Sequence, residues 1–263
     1  MMRALYSAAS GMAAQQTNVD NIANNLANAN TAGFKSRQVQ FQDLLYQNMR
    51  SVGSASSDTG TVLPSGLQVG LGVRPAATYR INSQGSLTVT SNPLDLAING
   101  LGFFQVQLPD GTTAYTRAGS LQLNQTGQLV TADGYTVLPS ITVPTTSTAI
   151  TVNASGQVLA TIAGQTAQQT LGQLQLANFI NPVGLDAIGN NLLKETTASG
   201  SPTTGNPQTT SLGSIVQGSL ETSNVDVVTE VTNLISAQRA YEMNSKVINA
   251  ADQMLNTTNQ MKS

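Results

Sequence analysis

Two carboxylates facing each other across a cleft can cleave a glycosidic bond. Asp95, Asp110 and Asp133 are the acids this chain could bring together for such work. All three fall in one stretch of β pattern. Asp110, in "PDGT", and Asp133, in "ADG", sit in turn signals, where Asp is favoured for its local backbone hydrogen bonds alone. There is no histidine and no cysteine, which removes thiolate nucleophiles, Cys/His zinc sites and any Ser-His-Asp relay. "GLGV" and "NGLGFF" hold a G-x-G pair, but neither continues to G-x-G-x-x-G or to G-K-[ST]. Calcium loops of the "DADG" type are missing. The expectation is a protein that is not an enzyme, with no metal, cofactor or small-molecule substrate. A carbohydrate-binding or hydrolytic β domain is the competing reading from another class.

A different chemistry is written into "NVDNIANNLANANTAGFK", Asn18 to Lys35. Val19, Ile22, Leu26 and Ala29 recur at helical spacing, and Asn18, Asn21, Asn25 and Asn28 recur one residue ahead of them. Asparagine is a mediocre helix former because its amide competes for backbone hydrogen bonds. Between Arg3 and Lys35 the only charge is Asp20, whereas a helix on a monomer's surface normally carries charges on its outer face. An amide both donates and accepts, so it can be satisfied by a neighbouring chain without the desolvation cost of a buried ion. The stripe is therefore expected to bind adjacent subunits or to line a channel; plain exposure of neutral residues is the bland alternative.

Composition agrees with a protein that meets other protein on many sides. Only 9% of residues are charged, against about 25% in a typical soluble domain. The net charge of −2 offers no footprint for nucleic acid or anionic membrane. No run of 18 or more apolar residues exists to span a bilayer. In "MMRALYSAASGMAAQQ" the apolar run breaks at Ser7, far short of a secretory h-region, so a route without a cleaved signal is expected.

The elements that must position these residues fall into three zones. Leu5, Ala8, Met12, Gln15, Val19, Ile22, Leu26 and Ala29 alternate spacings of three and four, the rhythm of a coiled-coil seam, and Gly33 reads as the terminator. Val227, Val231, Leu234, Gln238, Tyr241, Ser245, Ile248, Asp252 and Leu255 repeat that rhythm near the other end. Val228, Ile235, Met243, Val247 and Met254 widen the second stripe, and Ser223 with Asp226 resembles a capping box. Arg239 and Glu242 are spaced for a helical ion pair. Between the helices, "FFQVQL", "SLQLN", "QLVT" and "ITVN" alternate and are separated by "PDGT", "NQTG", "ADG" and "NASG". That pattern predicts an antiparallel sandwich or barrel-like domain. Ala198–Ser211 reads as a linker, and Arg50–Val73 as an unusually long polar connection.

These motifs resemble those of the axial proteins of the bacterial flagellum, its rod and hook subunits. "ANNLANANTAGFK" is similar to their N-terminal signature and supplies Asn24, Asn25, Leu26, Ala27, Asn28, Gly33, Phe34 and Lys35. "SNVDVVTEVTNLISAQRAYEMNSKVINAADQML" is similar to the C-terminal one and supplies Gln238, Arg239, Ala240 and Tyr241. Asp95–Pro139 resembles their shared central β region. The resemblance implies an α+β fold in which long N- and C-terminal helices pair as a coiled-coil-like layer around an inserted antiparallel all-β domain. The expected division is 1–33 plus 222–263 (helical), 34–78 plus 198–221 (connecting, with a polar loop or hairpin) and 79–197 (β). It implies a tubular homopolymer in the basal body that crosses the periplasm. Its partners would be the proximal rod and hook, the surrounding rings and the type III export apparatus. The expected assembly interface is Leu5, Met12, Asn18, Val19, Asn21, Ile22, Asn25, Leu26 and Asn28 on the first helix. On the second it is Val227, Val231, Leu234, Gln238, Tyr241, Ile248 and Leu255.

Overall fold

A computed structural model describes residues 2–52, 65–164, 167–209 and 211–261. The chain divides into two compact units, one of residues 1–26, 37–79 and 226–263, the other of residues 27–36 and 80–225. The segment 34–78, expected to be one connection, is thus shared between them.

The first unit holds two long helices, α1 (Met2–Ala27) and α2 (Val227–Gln260). Neither is long and apolar enough to cross a membrane. α1 stops six residues before Gly33, the expected terminator. At Asn28 the chain turns instead: Thr31 N donates to Asn28 O at 3.1 Å and Thr31 Oγ1 to Asn28 Oδ1 at 3.1 Å. Local bonds of this kind compete with the helix ladder and end it. α2 begins one turn later than the capping box implied. Its N-cap is Asp226, whose carboxylate accepts from Val228 N at 3.0 Å and Thr229 Oγ1 at 2.8 Å. Ser223 instead accepts from Val225 N within the preceding turn.

Two strand pairs complete this unit. Arg37–Asp43 pairs with Val73–Arg80, and Tyr46–Arg50 with Leu67–Gly70 as an antiparallel ladder. The second ladder flanks the long polar connection, whose residues 53–64 lie outside the described part of the chain. Gly72 adopts φ +124. A Cβ there would run into Ser10 Oγ, which accepts from Val73 N at 3.2 Å and so fastens this corner to α1.

The paired strands of the second unit are antiparallel. A nine-stranded sheet among the described residues has Phe103–Gln107 near its middle, with Thr113–Thr116 and Thr136–Leu138 on either side and Leu176–Asn178 as a branch. A three-stranded sheet is built from Ser147–Val152, Gln157–Ile162 and Gln169–Gln173. The four expected turns are present, each with a glycine at positive φ: Gly111, Gly127, Gly134 and Gly156. Alternation in "FFQVQ" sends Phe104 and Val106 into the main core with Ile98, Leu121, Leu176 and Ile215. Phe103, on the other face, joins Tyr115, Phe179, Leu185 and Leu193 in a second cluster. The expected linker Ala198–Ser211 is partly structured: Thr203–Gly205 pairs with Leu176–Asn178, and Ser199 is buried.

Candidate functional site

The two helices pack together antiparallel in a single register. Asn25 Nδ2 donates to Glu230 Oε1 at 3.1 Å, and a Cβ added at Gly11 would lie 2.8 Å from the Asn244 amide. Both steps, 25 to 11 and 230 to 244, are two heptads long, so the contacts belong to one seam. On α1 that seam buries Ala8, Ala14, Ile22 and Asn25, with Leu5, Met12, Val19 and Leu26 half-buried. On α2 it buries Ala237 and Ala251, with Glu230, Leu234, Asn244, Ile248 and Leu255 half-buried.

Half of the α2 seam expected from the pattern is therefore displaced by one residue. Leu234, Ile248 and Leu255 face α1, but the companion line is Glu230, Ala237, Asn244 and Ala251. Val227, Val231, Gln238, Tyr241 and Asp252 remain exposed. Small side chains let two helices approach closely, and at Gly11 the Asn244 amide leaves no room for a Cβ. Gln15 lies on the same face, its Oε1 buried without a partner among the described residues. A second set of large apolar residues is left outside. Val228 is 75% exposed and Met243 61%, against 3% for Ala237, and Ile235, Val247, Met254 and Tyr6 are exposed with them. A monomer gains most by burying its largest apolar side chains. On α2 the fully buried side chains are alanines instead.

The asparagines split in their roles. Asn25 is 1% exposed. Its Nδ2 donates to Arg37 O at 2.8 Å and its Oδ1 accepts from Arg37 N at 2.9 Å. Asn21 Nδ2 donates to the same carbonyl at 2.7 Å. These two therefore fasten the strand beginning at Arg37 to α1, within one chain. Asn18 is half-buried and Asn24 exposed, and Asn28 makes the turn already described. Gln238 and Arg239 are exposed and Ala240 is half-buried. Among the described residues Arg239 forms no ion pair with Glu242; Arg placed N-terminal to its acid is the weaker orientation on a helix. Of the three acids considered for hydrolysis, two are engaged by local hydrogen bonds and the third sits in a turn. Asp95 accepts from Thr90 Oγ1 and Asn92 Nδ2, Asp110 accepts from Thr112 N and Oγ1, and Asp133 lies in the turn before Gly134.

Where the chain joins the β unit, a buried charge cluster stands that the sequence pattern did not reveal. Glu221 is 2% exposed and pairs with Lys35 and Arg117, each at 2.5 Å. Its Oε1 also accepts from Gly85 N at 3.0 Å. Lys35 Nζ donates further to Ser83 O at 2.7 Å. Arg117 donates to the carbonyls of Gly102, Ile98 and Gly100. Burial alone would push the Glu221 carboxyl up, but the Arg117 charge and the donated hydrogen bonds outweigh it and hold the group below its ordinary range. Burial depresses the Lys35 ammonium, and Glu221 offsets only part of that. Phe34, beside this cluster, is half-buried. Gly33 adopts φ +71, and a Cβ there would lie 2.7 Å from the backbone of Arg117 and Ala118. The close approach, not helix capping, is what requires a glycine at this position.

Three segments match known family models. Residues 5–35 match the flagella basal body rod protein family. Residues 97–160 match the D1 domain of the flagellar hook proteins FlgE/F/G, and 216–261 the C-terminal region of the FlgEFG basal-body rod proteins. The chain is 55% identical to the flagellar basal-body rod protein FlgG of Caulobacter vibrioides over the whole of both chains. Identity to the FlgG of Agrobacterium fabrum is 51%, covering 96% of this chain and 97% of that one. With the FlgG of Bacillus subtilis it is 41%, covering 97% of each. This chain belongs to the flagellar basal-body rod protein family. Each matched segment contributes one member of the buried cluster: Lys35 from the first, Arg117 from the second and Glu221 from the third.

Proposed function

We propose that the chain is a structural, non-catalytic subunit of the distal rod, which self-assembles through its terminal helices into a tube that encloses the export channel and transmits torque from motor to hook. One observation carries this reading: α2 turns Val228, Ile235, Met243, Val247 and Met254 outward, while the side chains it buries fully are Ala237 and Ala251. Exposed apolar residues ranged along one helix are a surface for other protein, and in a homopolymer the partner is another copy. The near full-length likeness to FlgG proteins and the ladder of Tyr46–Arg50 with Leu67–Gly70 favour the distal over the proximal rod. The further partners in this reading are the proximal rod and hook proteins at its ends, the rings around it, and the type III apparatus that exports it across the periplasm.

The experiment is polymerisation of purified protein, followed by light scattering and electron microscopy. Met243→Asp and Val228→Asp are expected to abolish filaments while leaving the thermal transition of the β unit within a few degrees of the parent. Both positions are exposed, so a charge there does no harm within the monomer. Normal filaments from both variants would overturn the proposal.

A further inference from the structure

The two segments that lead into the terminal helices, residues 28–36 and 222–225, contain few large apolar residues that could anchor them. Polar groups hold them instead, and they hold them to each other. Gly33 N donates to Glu221 O at 2.8 Å, Ser36 N to Asn224 Oδ1 at 2.7 Å, and Lys35 Nζ pairs with the Glu221 carboxylate. The Asn224 amide reaches on to Ile81 O at 2.9 Å and Ser83 O at 3.2 Å. Arg117, tied to three carbonyls of 98–102, fixes where the carboxylate stands. Four stretches distant in sequence thus meet at one acid.

A buried ion cluster is a poor stabiliser, since desolvation can exceed the attraction and apolar replacements of similar volume are often neutral. What charges do impose is geometry: a carboxylate with three fixed donors has one position, whereas an apolar contact tolerates sliding. We propose that Lys35, Arg117 and Glu221 are positioning residues for assembly, a clasp that holds the roots of α1 and α2 side by side so that the two helices pair within one chain at high effective concentration. The inference rests on the assembly reading above. It adds that the β unit fixes the helix roots before the helices themselves are buried. With the clasp closed, pairing closes only a short loop. With it open, each helix is a separate tether that can pair out of register or with the wrong chain.

The absence of native cysteine makes the test clean. Spin labels on Asn30→Cys and Val225→Cys report the separation of the roots in the monomer, alongside β-unit melting and the rate of polymer growth. The decisive variant is Lys35→Met/Arg117→Met/Glu221→Leu, which removes charge and keeps volume. Lys35→Met alone is the milder companion, since it leaves the Glu221–Arg117 pair intact. The expected result is a narrow label distance in the parent that broadens in both variants, with growth slowed by about ten-fold and β-unit melting little changed. Unbroadened distances with undelayed growth would overturn the clasp. So would collapse of the β unit in both variants, which would make the cluster a stabiliser only. Failure of the parent itself to polymerise would count against the assembly reading, while the label distances would still judge the clasp.

Discussion

At the residue scale the most consequential side chain is Glu221. Its carboxyl lies below its unfolded value because Arg117 and Lys35 favour the charged form despite burial. A depressed acid lends stability in full above its unfolded pKa, about 4.3. It loses that contribution as pH falls through the lower folded value, because the unfolded state binds the proton first. The β unit should therefore melt at progressively lower temperature below about pH 4, and Glu221→Gln should flatten that dependence. The same substitution leaves Lys35 and Arg117 buried without their counter-charge, a loss of about 3–5 kcal/mol at neutral pH. Calorimetry from pH 3 to pH 7 checks both parts, and an unchanged acid slope in Glu221→Gln would show that other carboxylates govern it. None of this was legible in the sequence. Lys35, Arg117 and Glu221 are separated by 82 and 104 residues (117 − 35 and 221 − 117), and no local spacing rule links charges brought together by long-range strand pairing.

At the element scale the sequence was read well where structure follows a local period. The heptad rhythm placed both helices, and Gly-bearing turns placed four hairpins, because both signals are complete within a few residues. The reading slipped where two lines on one helix competed. Leu234, Ile248 and Leu255 face α1, but the companion line expected through Val231 and Gln238 lies one residue earlier, at Glu230, Ala237, Asn244 and Ala251, where two alanines let the helices approach closely. The asparagine stripe divided similarly: Asn21 and Asn25 are taken by Arg37 of the same chain, a partner that only the fold reveals. The register is open to direct test. Ala237→Leu overpacks a position 3% exposed and should cost about 1–3 kcal/mol of helix-pair stability. Gln238→Leu, one residue on, should change it by no more than about 0.5 kcal/mol. Circular dichroism at 222 nm through thermal melts of the assembled protein separates the two. Equal effects would refute the one-residue shift.

At the scale of the whole molecule the two units differ in what holds them. The β unit has a continuous core around Phe104, Val106, Ile98, Leu121 and Leu176, all but closed to solvent. The helix pair has Ile22, Ala8, Ala14, Ala237 and Ala251, an Asn25–Glu230 hydrogen bond, a Gln15 oxygen without a partner among the described residues, and a row of exposed valines and methionines. Ordering the backbone costs about 1–2 kcal/mol per residue, while an alanine buries little apolar area with which to offset it. The helices should consequently be the low-stability part of the monomer and gain most of their protection from neighbouring copies. Hydrogen exchange on the monomer should show slow amides at Phe104 and Val106 and fast ones along Val19–Leu26 and Leu234–Ile248, with the fast set becoming protected once polymer forms. Such a subunit would stay unable to polymerise prematurely while its ends are unpaired, since the apolar surface that copies recognise exists only when the helices do. Val19→Asp or Leu26→Asp, half-buried in the seam, should abolish polymer yet leave the β unit's transition in place. Strong protection of both helices in a solution containing no polymer would overturn this division of stability.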